Sequence, residues 1–247
     1  MSRARRIAAE ATGTYRTFIR RRTAVFFTFF FPVLLIVIFA GLVRTQSGSG
    51  GLFSEPTGYY VPAYLATVVL FTPLSRVGST VARHREGNRF EKLATTPLTR
   101  AEWLAAHTLV NVALIAAASA VLLVALKLTG AEFALSPWLA FFVPVASVVF
   151  CGIGAVLGSV ADGQDGAIAM SNGVALPLLF LSETFVQPEL FPAWFLPVVD
   201  LSPLAYFARG VRAATYSGGD VVTNATVLAV LAVVAFAFGA ILIPWTE

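Results

Sequence analysis

Apolar residues run through this chain in long blocks, and polar residues gather in a few short clusters between them. An apolar helix of about 20 residues crosses roughly 30 Å of hydrocarbon. Blocks at residues 24–43, 59–81, 103–127, 137–160, 167–185 and 221–245 therefore predict six spans. Pro32 is compatible with the first, because neighbouring helices can satisfy the carbonyl it frees. The Gly/Ser-rich segment 46–51 predicts a hairpin; it lacks the Gly-Lys-Ser or Gly-Lys-Thr ending of a phosphate loop. Tyr59, Tyr60 and Tyr64 mark the outer end of the second span as an aromatic belt would. Gly152, Gly154, Gly158 and Ser159 form a small-residue stripe that predicts close helix packing.

Two stretches break the pattern. Residues 3–22 carry seven arginines, Arg3, Arg5, Arg6, Arg16, Arg20, Arg21 and Arg22, among Ile7, Ala11, Tyr15, Phe18 and Ile19 at helical spacing. This reads either as an amphipathic elbow helix over 1–22, lying in the membrane interface, or as a basic flank that only orients the first span. Both place it in the cytoplasm. Residues 186–220 hold Pro188, Pro192, Pro197 and Pro203 with Phe191, Trp194, Phe195, Tyr206 and Phe207. The segment is too apolar for a free loop and too interrupted for a straight span. It predicts short re-entrant helices that dip into the outer leaflet and return.

Composition agrees. The 247 residues are 57% hydrophobic and 12% charged, against about 25% charged in soluble domains. A sizeable soluble domain is excluded; the fold class is an all-α polytopic membrane protein, one transmembrane domain over 1–247. Of 17 Lys and Arg, 13 lie in the N-terminal segment or between Arg76 and Arg100. Short loops rich in Lys and Arg stay inside, so both termini and the 83–102 loop are expected in the cytoplasm. The apolar run beginning at Ala24 has no small-residue cleavage pattern after it and reads as a retained anchor. Cys151 lies in an apolar run and reads as a packing residue. His84 and His107 are far apart in sequence and have no cysteine partners, so no metal site is expected.

The 83–102 loop is the long charged stretch between two spans. Glu86, Phe90, Leu93 and Ala94 fall near one helical face. Pro97 stops that helix, and Thr99 with Glu102 forms a capping box for the next one. Such a loop is either a short rigid helix for a soluble partner to push on, or a solvated segment that sets topology.

Residues 85–100, Arg-Glu-Gly-Asn-Arg-Phe-Glu-Lys-Leu-Ala-Thr-Thr-Pro-Leu-Thr-Arg, resemble the coupling-helix segment of ABC-2 type transporter permeases. They differ by one residue near Gly87, and Asn88-Arg89 stands where that family often has Gly-Thr. Residues 191–212, Phe-Pro-Ala-Trp-Phe-Leu-Pro-Val-Val-Asp-Leu-Ser-Pro-Leu-Ala-Tyr-Phe-Ala-Arg-Gly-Val-Arg, resemble a second signature of the same family, with Asp200-Leu201-Ser202 in place of the usual Leu-Asn. The resemblance implies a permease subunit of an exporter in the cell membrane, paired with itself or a related subunit and driven by a separate ABC ATPase. ATP and Mg would sit on that partner, and this chain would bind no cofactor and no nucleic acid. The residues implied in ATPase coupling are Arg85, Glu86, Gly87, Phe90, Glu91, Lys92, Leu93, Thr95, Thr96, Pro97 and Leu98. Those implied along the pathway or re-entrant segment are Glu183, Trp194, Ser202, Pro203, Tyr206 and Arg209. The cargo would be hydrophobic or amphipathic.

Glu183 at membrane depth would face a cavity or a partner, or lie in the outer interface. Asp162 and Asp165, in the 161–166 turn, read as solvated helix ends. An ion-driven secondary transporter is the alternative, but it calls for paired repeats and buried acids near the midplane, and the spans carry no Asp/Glu pairs. An integral-membrane enzyme finds no nucleophile or acid/base constellation here.

Overall fold

A computed structural model describes residues 2–44, 56–185 and 191–245. Among them the chain is all helix and turn: α1 (Arg3–Arg20), α2 (Arg22–Arg44), α3 (Val61–Glu86), α4 (Arg89–Ala94), α5 (Arg100–Leu128), α6 (Leu139–Val160), α7 (Gln164–Phe180), α8 (Leu196–Asp200), α9 (Pro203–Arg212) and α10 (Val221–Leu242). A 3₁₀ turn, Thr57–Tyr60, leads into α3, and a π-helical turn, Ala213–Ser217, ends α9. The expected hairpin at 46–51, part of the 186–220 segment, and the last two residues lie outside the described residues.

Among the described residues, four helical stretches are long and apolar enough to cross a membrane: Thr57–Glu86, Arg100–Leu128, Leu139–Val160 and Val221–Leu242. They correspond to the second, third, fourth and sixth of the six expected spans. The first expected span is occupied by α2, of 23 residues. The fifth is occupied by α7, of only 17, about 26 Å of helix. It starts before the expected boundary and stops at Phe180, because residues 181–185 turn.

The centre is a seam of small residues. A Cβ on Gly158 would fall on the backbone of Gly78, and one on Gly154 on the backbone of Leu74. On the other flank Gly152 meets the backbone at Ala235 and Phe236, and Gly239 meets Gly152. The pairings 74–154 and 78–158, like 152–235 and 155–239, rise together, so α3, α6 and α10 run parallel with α6 in the middle. Absent side chains let the backbones touch, which drives helix association where lipid removes the hydrophobic incentive. The glycine stripe thus packs as its spacing predicts. Ser171 on α7 adds a hydroxyl bond to the Leu74 carbonyl at 3.2 Å, near the point where Pro73 interrupts the ladder of α3.

Outward faces are apolar instead. Only 28% of the apolar window of α10 is buried, against 61% for α3 and for α6, and Val230, Val233, Phe238 and Ile241 are exposed. Phe26, Phe27 and Phe30 on α2 are exposed as well.

α1 packs on α5 through Ile7, Ala11, Thr14 and Phe18, with Phe18 buried beside Val110 and Leu114. Tyr15 and Ile19, expected on the same face, are exposed. A 100° step per residue rotates them one strip around, off the contact with α5. At Arg21 the chain turns out of helical geometry (ψ 81°) before α2 starts, which makes the elbow.

Contacts sort the connections into two ends. At one end lie α1, the 83–102 loop, the 161–166 turn and Trp245. At the other lie 57–60, 127–138, 181–185 and 191–220.

Candidate functional site

The 83–102 loop is more tightly built than a charged loop need be. α3 continues through Glu86, so Glu86 ends that helix and does not share a face of α4 with Phe90 and Leu93 as the spacing suggested. Gly87 and Asn88 make the turn. Asn88 takes the left-handed conformation (φ 50°), which Asn tolerates better than most residues, and this turn is what breaks the helical period. α4 follows for six residues. It ends where the Thr95 hydroxyl bonds the Lys92 carbonyl (2.8 Å) and the Thr96 hydroxyl bonds the Leu93 carbonyl (2.6 Å). Pro97 then has no N–H with which to continue. The expected capping box is present: the Glu102 N–H donates to the Thr99 hydroxyl (3.2 Å) and the Thr99 N–H donates to the Glu102 carboxylate (3.1 Å).

The loop is anchored to its neighbours at four points. Phe90, 2% exposed, meets His84, Trp103 and Trp245 at ring-centroid distances of 5.2 to 5.5 Å. Leu98 is buried with it, and Leu93 and Ala94 pack alongside. The Arg85 guanidinium donates to the carbonyls of Ser159 and Ala161, supplying a cation and donors to the C-terminal end of α6. The Glu86 carboxylate lies against Gly163. That glycine, at φ 151°, allows the close approach, and neighbouring Asp162 and Asp165 are solvent-exposed as expected. Finally, the Glu102 carboxylate accepts from Arg6 Nε at 3.0 Å and from its Nη2, fastening α1 to α5.

The outward side carries Glu86, Gly87, Asn88, Arg89, Glu91, Lys92, Thr95, Thr96 and Pro97, all exposed. The sequence-derived coupling residues therefore split by role. Phe90, Leu93 and Leu98 hold the element and Arg85 ties it to α6, while Glu86, Gly87, Glu91, Lys92, Thr95, Thr96 and Pro97 form the surface a partner can touch. His84 and His107, far apart in sequence, are neighbours in the fold with ring centroids 6.3 Å apart, because α3 and α5 run antiparallel. His107 also faces Glu10 at 3.4 Å. That hydrogen bond holds the Glu10 carboxyl below the usual carboxylate range.

At the opposite end the structure gathers Glu183, Ser202 and Arg209. Glu183 is buried (3% exposed), with the left-handed φ of 55°. Arg209 Nε donates to it at 2.9 Å and Arg209 Nη2 donates to its other oxygen; Arg209 Nη1 donates to Asp200 at 2.8 Å. Arg212 Nη2 donates to the Glu183 carbonyl at 2.6 Å, and its guanidinium stacks on Tyr59 at 4.2 Å. The Ser182 and Ser202 hydroxyls share a hydrogen bond of 2.7 Å. Pro203 opens α9 at a position where no N–H is needed, and Tyr206 lies beneath the Arg209 guanidinium. Glu183 thus closes an ion pair between the end of α7 and α9. Trp194 stands apart, 76% exposed.

Residues 7–216 match the family described as ABC-2 type transporter. The chain belongs to that family. This ABC-2 chain is also similar to the daunorubicin resistance ABC transporter permease protein DrrB1 of Streptomyces coeruleorubidus, with 29% identity over 73% of this chain and 64% of the relative. It thus spans less than two thirds of the relative's length. The family places the chain in a membrane, as its apolar helices do, and both motifs read from the sequence lie within the matched residues. Among the described residues the buried acids of the ABC-2 chain are Glu102 and Glu183. Each sits at a helix end and is met by arginine, so neither offers the midplane acid that the ion-driven alternative calls for.

Proposed function

We propose that the chain is the membrane-spanning subunit of an ATP-driven exporter, with α4 and its flanks as the coupling element to a separate ABC ATPase. The observation that carries this reading is a six-residue helix with one buried aromatic anchor and an outward charged face, seated on the ends of α3, α5 and α6. A push on that face reaches α6 through Arg85 and α5 through the cap at Glu102. Rigid helices shifted in this way can exchange two access states.

In this reading α2, α3, α5, α6, α7 and α10 each cross the membrane, giving six spans with α1 in the inner interface. The 186–220 segment, including α8 and α9, dips into the outer leaflet. Trp194 suits such an interfacial anchor. Two copies, or this chain with a related one, form the pathway, and the cargo is a hydrophobic or amphipathic molecule moved out of the cytoplasm. The drug-resistance relative supports that class of cargo. Because the subunit has no nucleotide site of its own in this scheme, ATP and Mg belong to the partner.

Single cysteines test the orientation. Cysteines at Ser2 and Asn88 are expected to react with a membrane-impermeant maleimide only from the cytoplasmic side, and one at Ser217, exposed beyond α9, only from outside. Labelling of Asn88 from outside rejects the scheme. Coupling is tested by Glu91→Lys. Reversing a charge in a desolvated contact costs on the order of 2–5 kcal/mol, so this variant is expected to insert normally yet lose co-purification with a co-expressed ABC ATPase that the unmodified chain retains. Cargo-stimulated ATP turnover at the unmodified level in that variant argues against α4 as the coupling element.

A further inference from the structure

A cavity of about 570 Å³ opens between α1, the start of α2 and the second half of α3. Four arginines line it: Arg21, Arg76, Arg83 and Arg89. The one acid among the lining residues, Glu10, is engaged with His107, so the arginines are not neutralised by it. Arg76 is the most telling. Its guanidinium lies 4.3 Å over the Phe18 ring, and its Nη1 is buried with no hydrogen-bond partner among the described residues. His84 Nδ1, in the same lining, is likewise buried and unpartnered. A buried guanidinium nitrogen left unpaired costs more than almost any other polar atom, and an anion with several acceptor oxygens removes that cost. Phosphate fits best, since Arg presents forked donors to its oxygens. Hydroxyls of Thr72, Ser75 and Ser79 add small polar groups along the α3 wall. Towards α2 the lining turns apolar at Ala24, Phe27 and Phe71, and Phe27 is also exposed on the outer face.

We propose that this cavity holds the phosphate group of an anionic amphiphile, a phosphodiester lipid whose headgroup sits among Arg21, Arg76, Arg83 and Arg89 and whose chain leaves past Phe27 and Phe71. A cationic cargo is repelled by the same lining, so the site is separate from any route for cations. The site needs only the geometry of α1 to α4. It rests on the exporter reading only for the leaflet that supplies the lipid, so a wrong orientation leaves the binding measurement intact.

The test uses the full chain purified in a neutral detergent and titrated with a fluorescent phosphatidylglycerol. Phosphatidylcholine of the same chain length and inorganic phosphate serve as competitors. Saturable binding is expected, weakened at least ten-fold by Arg76→Gln and by Arg83→Gln. Arg16→Gln, on the exposed face of α1 outside the cavity, is expected to leave it unchanged. Competition by unlabelled phosphatidylglycerol but not by millimolar inorganic phosphate identifies a lipid as occupant; effective competition by inorganic phosphate identifies a free phosphate source for the same site. Thermal unfolding without ligand guards against misfolding: because Arg76 Nη1 is unpaired, Arg76→Gln is expected to melt no lower than the unmodified chain. Equal affinity for phosphatidylcholine, or an equal loss in all three variants, overturns the proposal, since both signify general attraction to a basic surface.

Discussion

Arg209→Ala is expected to destabilise the chain far more than Glu183→Ala, although the two side chains form one ion pair. The asymmetry follows from burial. The Glu183 side chain is 4% exposed and that of Arg209 is 30% exposed. Removing Arg209 strands a carboxylate with almost no access to water. Breaking a buried pair from the exposed side in this way costs about 3–5 kcal/mol. Removing Glu183 leaves Arg209 with Asp200 and solvent, and the loss falls to about 1–2 kcal/mol, near that of a charge-assisted hydrogen bond. The left-handed backbone at residue 183 bears on both variants alike. Such a conformation costs of order 1 kcal/mol and persists only where the surroundings over-determine it. Arg212 on its carbonyl and Arg209 on its carboxylate supply that determination. Unfolding by SDS titration of each variant in mixed micelles gives the two values, and equal losses reject the account.

The second large effect is expected at Phe90. Truncating a fully buried phenylalanine to alanine costs about 3–5 kcal/mol. Here the cost falls on a six-residue helix too short to persist without tertiary packing. Phe90→Ala is therefore expected to loosen residues 87–98 while α3, α5 and α6 stay folded. Hydrogen exchange in α4 should rise to the level of an open loop with little change in the seam around Gly78 and Gly158. Coupling to ATP turnover is expected to fall along with it. Phe90→Leu, which keeps most of the apolar volume, should restore much of both. If Phe90→Ala leaves exchange in α4 unchanged, the aromatic anchor is not what holds the element.

Much of this was legible in the residue pattern, and the reasons for the exceptions are physical. The capping box of Thr99 and Glu102 and the glycine stripe of α6 depend on local spacing alone, and both are present. The extent of α3 was not legible. A helical period runs without a visible break from span to loop, and only the Gly87-Asn88 turn, with its left-handed residue, decides that Glu86 belongs to the longer helix. α7 is shorter than its apolar run suggests, because residues 181–185 turn to bring Glu183 beneath Arg209. That turn answers to a partner 26 positions away, which no local window contains. The same limit hid the cavity. Arg76 and Arg83 weigh in the sequence only as counts towards orientation. Their convergence with Arg21 appears once α1 folds back onto α5 and brings its end beside α3.

The parallel seam of α3, α6 and α10 also gives one helix two rules of substitution. Along α10, Ala235 and Gly239 press backbone against backbone on Gly152, and even one added methyl group at Gly239 has nowhere to go. One turn around the same helix, Val230, Val233, Phe238 and Ile241 face outward, where any apolar side chain of any shape serves. A library of random changes in α10 will therefore sort into two populations by helical phase. One strip accepts almost nothing larger than what it has; its neighbour accepts nearly everything that is not charged.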